Sequence, residues 1–142
     1  MEELENVYRE YEQRSTQPQY QRKPFQGAYG LLGGAQPDSL HQRFAKDVEQ
    51  ALNQVGEEHQ LEAVKYIFQQ PLRHKKDPAM YGMFRAVHGV TLPYLKGLSM
   101  EQARDLQWWY ESAYPHQERL PCQDRVVTTL ERIRRHHRNS RG

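Results

Sequence analysis

The chain has little cysteine and no long apolar run, and each shortage argues against a class of protein. Its 142 residues include one cysteine, Cys122, so an internal disulfide cannot form. No apolar stretch approaches the roughly eighteen residues that indicate a transmembrane helix, and the N-terminus lacks a charged-then-apolar leader. We therefore expect a soluble, cytoplasmic protein with no membrane partner.

Apolar residues are scarce throughout the chain. They make up 37% of it, and the mean hydropathy is −1.02. A chain of this length matches one ordinary domain with a modest core. With so few apolar residues, some segments should remain solvated outside that core.

The motifs that identify catalytic and metal sites are also missing. Seven histidines are present, but none belongs to an HExxH pattern, and no CxxC occurs. The glycine-rich GAYGLLGG at residues 27–34 lacks the GK[ST] ending that grips phosphate. Cys122 and His116 are a weak candidate for a nucleophile and its base, since their positive surroundings are common. We expect no catalytic residue, no metal and no cofactor, and hence a protein that is not an enzyme.

Apolar side chains recur at helical spacing in six segments, which predicts an all-α protein of about five or six helices. The clearest stripe runs from Leu40 to Val55 and stops at Gly56. Two helix starts are marked by capping residues, an Asp–Pro pair at Asp77 and a capping box at Ser99 and Gln102.

The segments between the stripes suggest how the chain is organised. The VTLPYLKG stretch at residues 90–97 has strand-like residues interrupted by proline, which favours an extended linker. A Gln/Pro/Gly-rich stretch near the N-terminus lacks any periodicity and favours a loop. The predicted organisation is an acidic amphipathic helix at 1–14, a flexible loop at 15–37, a helical domain at 38–138 and a basic tail at 139–142.

An aromatic cluster, RDLQWWYESAYP at residues 104–115, lies within one of these predicted helices. At about 100° per residue, Trp109 and Tyr110 fall within roughly 60° of Leu106, so we expect both rings in the core. Trp108 falls about 160° away, on the solvent side beside Arg104. It could cover Arg104 through a cation–π contact, meet another part of this chain, or anchor a partner protein. The candidate partner-binding residues are Trp108 and Arg104.

Charge is distributed unevenly along the chain. Residues 1–14 carry five glutamates and two arginines, a net −3, whereas residues 119–142 carry seven arginines and two acidic residues, a net +5. On the last helix a row of cations faces away from Leu130, and a second basic run, RHKK, occupies residues 73–76. The candidate nucleic-acid-binding residues are Arg125, Arg132, Arg134, Arg135, Arg138, Arg73, Lys75 and Lys76.

Three interpretations of the arginine row remain open. Cations near a helix C-terminus are favoured by the helix dipole whatever their function, and the row could also bind an acidic partner or the acidic first helix. Arginine is nevertheless well suited to gripping phosphate with two hydrogen bonds. A helix-turn-helix at residues 38–70 is less attractive, because its second helix carries only Lys65 as a basic residue.

We expect a helical accessory subunit that binds nucleic-acid backbone, RNA or DNA, within a larger nucleoprotein assembly. The small subunit of an RNA-guided or mobile-element complex is an example of this class. The alternative is a protein–protein adaptor or scaffold that uses Trp108 and the oppositely charged termini. Other protein subunits are expected partners in both cases, and self-association is a further possibility.

Overall fold

The computed structural model describes the chain at residues 1–15 and 39–141, with side chains at 1–13 and 40–139. Apart from Ser15, the predicted flexible loop at 15–37 lies outside the described residues. Within the described ranges there are six α-helices and no strand, which confirms the all-α prediction. The helices are α1 (Glu2–Ser15), α2 (Ser39–Asn53), α3 (Gln60–Gln69), α4 (Pro78–Ala86), α5 (Met100–Ala113) and α6 (Pro121–Arg141).

The chain divides into two compact units, Met1–Gln54 and Val55–Gly142. The first unit pairs α1 with α2 through an aromatic contact. The Tyr8 and Phe44 rings meet edge to face with centroids 5.1 Å apart, and the Tyr11 ring lies 5.0 Å from Phe44 on the other side. Tyr11 Oη donates a hydrogen bond to Asp47 Oδ2 at 2.7 Å, so the ring is buried while its hydroxyl is satisfied.

The second unit contains the other four α-helices and several short 3₁₀ segments. Two of its helix starts use the caps expected from the sequence. Asp77 accepts a hydrogen bond from the Met80 backbone N–H at 3.2 Å. Ser99 and Gln102 form a reciprocal capping box, with each side chain bonded to the other's backbone N–H.

The predicted extended linker at residues 90–97 is wrong. The chain instead continues from α4 into a 3₁₀ helix, Val87–Leu95, with Pro93 inside it. Pro93 lies near the C-terminal end of this helix, and Thr91 Oγ1 donates a hydrogen bond to the His88 carbonyl at 2.8 Å. Burial of Val87 and Leu95 in the core outweighs the weak strand propensity of the residues between them.

The core of the second unit is an aromatic cluster around a buried histidine. The His88 ring is fully buried, with its centroid 4.9 Å from that of Phe68 and 5.5 Å from that of Tyr114. His88 Nδ1 is 2.7 Å from Tyr110 Oη, and Tyr114 Oη donates to the Phe68 carbonyl. These contacts join α3, the 3₁₀ helix and α5, and they position the helical hairpin formed by α5 and α6.

Candidate functional site

Three arginines stand on the outer side of α6 and form what we call the arginine face: Arg125, Arg132 and Arg135. All three are exposed. They lie about 140° to 220° around the helix from Leu130, which is fully buried. Thr128 lies between them and is also exposed. At 1.5 Å per residue the face spans about 15 Å, the length of a few nucleotide phosphates.

Within residues 55–139, no carboxylate forms an ion pair with the arginine face. The two carboxylates of α6 have other partners. Asp124 accepts a hydrogen bond from Arg119 Nε at 2.8 Å, and Glu131 accepts one from the Gln107 amide at 3.3 Å. The guanidinium groups of the face therefore keep their hydrogen-bond donors for a ligand.

Arg134 lies apart from the arginine face, on the flank of α6 that packs against α5. Its Nη1 donates to Gln107 Oε1 at 2.9 Å, and the residue is half-buried. The Gln107 amide nitrogen in turn donates to Glu111 and Glu131, each at 3.3 Å. Because Gln107 is only 4% exposed, this network saturates a buried amide and links the two helices.

Arg138 is exposed one turn beyond Arg135, but it lies about 80° around α6 from Leu130 and therefore outside the arginine face. His137, between them in sequence, points the other way. Its Nε2 lies 3.0 Å from the Leu98 carbonyl, which fixes the last turns of α6 against the chain that leads into α5.

The RHKK run lies before α4 and has separate surroundings. Arg73 is exposed and donates to Gln70 Oε1 at 2.9 Å, and Lys76 is exposed. Lys75 lines a shallow cavity of about 480 Å³ together with Tyr81, Arg85 and Glu118. Among the described residues, no hydrogen bond or ion pair joins Arg73, Lys75 or Lys76 to the arginine face.

Sequence reasoning did not single out Arg85, which supplies a cation beside Lys75. Its guanidinium carbon stacks 4.4 Å from the centre of the Tyr81 ring, and its Nη1 donates to the Glu118 carbonyl at 2.6 Å. The sequence could have indicated this stacking contact, because Tyr81 and Arg85 are four residues apart on one helix and therefore share a face.

Trp108 is 66% exposed and is the one large apolar side chain exposed to this degree in the described parts of the chain. The expected solvent-side placement is therefore confirmed. The Trp108 ring does not cover Arg104. Arg104 Nε instead forms an ion pair with Asp105 Oδ1 at 3.2 Å. The exposed indole has no cation–π contact with that arginine.

Trp109 differs from its expected place in the core. The ring is half-buried and lines a groove of about 460 Å³ between α3 and α5. Tyr110, by contrast, is fully buried as expected. The helical wheel places Trp109 at the edge of the buried stripe, and the facing wall of α3, with Leu61 and Lys65, leaves one side of the ring uncovered.

The buried aromatic cluster is structural. Burial lowers the pKa of His88 to about 3, although the Ile67 carbonyl acts in the opposite direction, so the imidazole is neutral. Burial also raises the pKa values of the Tyr110 and Tyr114 hydroxyls. Neutral, fully packed rings that bond to one another favour cohesion of the core rather than proton transfer to a ligand.

Cys122 and His116 do not form a nucleophile–base pair. The Cys122 thiol lies 3.6 Å from the carbonyl oxygens of Arg85 and Ala86, and burial raises its pKa. His116 Nδ1 instead lies 2.9 Å from Arg119 Nη2. The thiol therefore lacks both a base and the conditions that favour a thiolate.

No group of three or more potential metal ligands converges among the described residues. None of the described helices has the length and apolar character needed to cross a membrane. Comparison with known proteins finds no family model, no curated protein and no solved structure that matches the chain.

Proposed function

We propose that the protein is a non-catalytic helical subunit that binds the backbone of a nucleic acid through the arginine face of α6. The observation that carries the proposal is the set of three exposed arginines on one side of the helix, with no carboxylate partner among the described residues of the second unit. Arg138, one turn beyond Arg135, is a further exposed cation outside the face.

The chemistry of arginine supports a phosphate ligand. Its guanidinium stays charged, and its planar fork donates two hydrogen bonds to one phosphate. Such contacts carry no information about base sequence, so binding should be weakly selective and strongly salt-dependent. A protein of this size with a single short basic face fits best as one component of a larger nucleoprotein assembly, where other subunits supply further contacts.

Fluorescence anisotropy with a labelled oligonucleotide tests the proposal. Arg132→Ala combined with Arg135→Ala should weaken binding and reduce the slope of log K against log salt by about 1 for each arginine removed. RNA and DNA probes of matched length, single-stranded and duplex, identify the preferred nucleic acid. Lys75→Ala with Lys76→Ala asks separately whether the RHKK run contributes.

A matched control is available on α2. Arg43 and Lys46 are exposed cations three residues apart, the same spacing as Arg132 and Arg135, so their double alanine variant removes equal charge from another surface. The proposal fails if wild-type protein does not bind at low salt, or if the control variant loses as much affinity as the α6 variant.

The exposed indole of Trp108 favours a second candidate function, that of a protein–protein adaptor. A tryptophan that is 66% exposed is the residue type most often found at the energetic centre of a protein interface. Trp108→Ala should then abolish capture of a partner subunit while nucleic-acid binding persists. Loss of nucleic-acid binding in that variant would count against a separate adaptor surface.

A further inference from the structure

The groove between α3 and α5, which we call the α5 groove, combines an apolar floor with an acidic wall. Leu61, Leu106 and the half-buried Trp109 form its apolar lining. Glu101 and Asp105 line it from α5, one turn apart, and both are exposed. With a volume of about 460 Å³, the groove has room for one or two long side chains.

This combination suits a side chain with an aliphatic stem and a cationic head. The stem of an arginine or lysine packs on apolar surface while its charge remains at the polar rim, and a guanidinium can stack on an indole such as Trp109. Lys65 lies on the opposite wall and offsets one of the two negative charges. The neighbouring pair of Arg104 with Asp105 is exposed, so it is easily rearranged.

The same chain carries a surface of complementary charge and spacing. Arg132 and Arg135 are three residues apart on α6, and Glu101 and Asp105 are four residues apart on α5. Each pair lies on one side of its helix, with about 5–6 Å between its members. Two arginine–carboxylate pairs can therefore form together when the helices of two molecules lie side by side.

We propose that the α5 groove is a docking site for the arginine face of a second copy of this chain. The interface joins two different surfaces, so each copy leaves one groove and one arginine face unused. Association is therefore head to tail and open-ended rather than limited to a symmetric dimer. Nucleic acid and the next copy compete for the arginine face, although the copy at one end of each stack always has its face available.

The experiment measures molecular mass by light scattering against protein concentration and salt. Wild-type protein should show a rising mass at low salt that falls toward the monomer as the screening length shortens, from about 10 Å at 0.1 M to about 3 Å at 1 M. Glu101→Lys with Asp105→Lys opposes the incoming arginines with like charge and should leave a monomer. Arg132→Ala with Arg135→Ala should also be monomeric.

Mixing the two variants gives the decisive result. The lysine variant retains its arginine face and the alanine variant retains its α5 groove, so together they form one native interface and stop at a 1:1 dimer. Trp108→Phe leaves Trp109 as the only tryptophan, and its emission should shift as the groove fills. Circular dichroism confirms that each variant is folded.

Self-association and nucleic-acid binding fail in different ways. The lysine variant keeps its arginine face and gains positive charge, so it should bind oligonucleotide at least as tightly as wild type, whereas the alanine variant should stay monomeric and bind oligonucleotide more weakly. A wild-type chain that stays monomeric at low salt overturns the proposal, as does a mixture that remains monomeric. A monomeric chain whose Trp109 emission responds to oligoarginine would instead assign the groove to a different basic partner.

Discussion

Lowering the pH should destabilise the second unit chiefly through one buried imidazole. His88 is fully buried among Phe68, Tyr110 and Tyr114, and desolvation lowers its pKa from 6.5 to about 3 in the folded protein. Between these values the unfolded chain binds a proton that the folded chain does not. The contribution of His88 to stability is therefore fully present at pH values above its unfolded-state pKa of 6.5. It is lost progressively as the pH falls toward the folded-state pKa of about 3.

The size of the effect follows from the two pKa values. Each pH unit within the window changes the free energy of unfolding by up to about 1.4 kcal/mol. Going from about pH 7 to about pH 4.5 should therefore remove roughly 2–3 kcal/mol through His88 alone. That is a large part of the total stability of a small domain.

Urea unfolding followed by tryptophan fluorescence measures the free energy of unfolding of the second unit at each pH, because both tryptophans lie in that unit. His88→Gln cannot titrate, so its stability should be lower than that of wild type near neutral pH but much less dependent on pH across the window. His59→Gln changes an imidazole that is more than half exposed and serves as the matched control. Equal pH slopes for wild type and His88→Gln would refute the reasoning.

Three further predictions concern packing, capping and reactivity. Gln107→Leu removes the partner of Arg134 and should cost about 1–2 kcal/mol in urea unfolding, because a polar network is left incomplete. Ser99→Ala removes one half of the capping box and should cost about 0.5–2 kcal/mol by the same measurement, whereas Ser112→Ala on the exposed side of α5 should not. Cys122, whose pKa is raised by burial, should react with iodoacetamide several-fold more slowly in the folded protein than in denaturant; equal rates would contradict the burial of the thiol.

Local sequence patterns were enough to predict the helices. The stripe that contains Phe44 and Val48, the aspartate cap at Asp77 and the capping box at Ser99 involve residues within one or two turns of each other. Their consequences do not depend on what the helix later packs against. The same reasoning placed Trp108 in solvent, because a ring opposite the apolar stripe has no helix to cover it.

Other assignments depended on neighbours that are distant in sequence. Trp109 lies at the edge of the apolar stripe, and only the position of α3 decided that a groove would leave the ring half-buried. The sequence also grouped Arg134 with the neighbouring arginines as a ligand-binding residue. It could not indicate that Arg134 bonds to Gln107, because Gln107 lies 27 residues away in the chain. The residues at 90–97 have strand propensity, but burial of the apolar side chains around Pro93 favoured consecutive 3₁₀ turns.

The amino-acid sequence by itself determined that the chain is helical and that arginines line one side of its last helix, since both follow from periodicity along a single segment. Only the tertiary structure decided which of those arginines keep their donors for a ligand. Arg134 donates to Gln107 of α5, and Gln107 in turn donates to Glu131. Asp124 accepts from Arg119, and the exposed side chains of Arg125, Arg132 and Arg135 are left facing solvent. The physical reason is that a guanidinium binds whichever acceptor the packed helices bring within reach, and that choice is made in three dimensions.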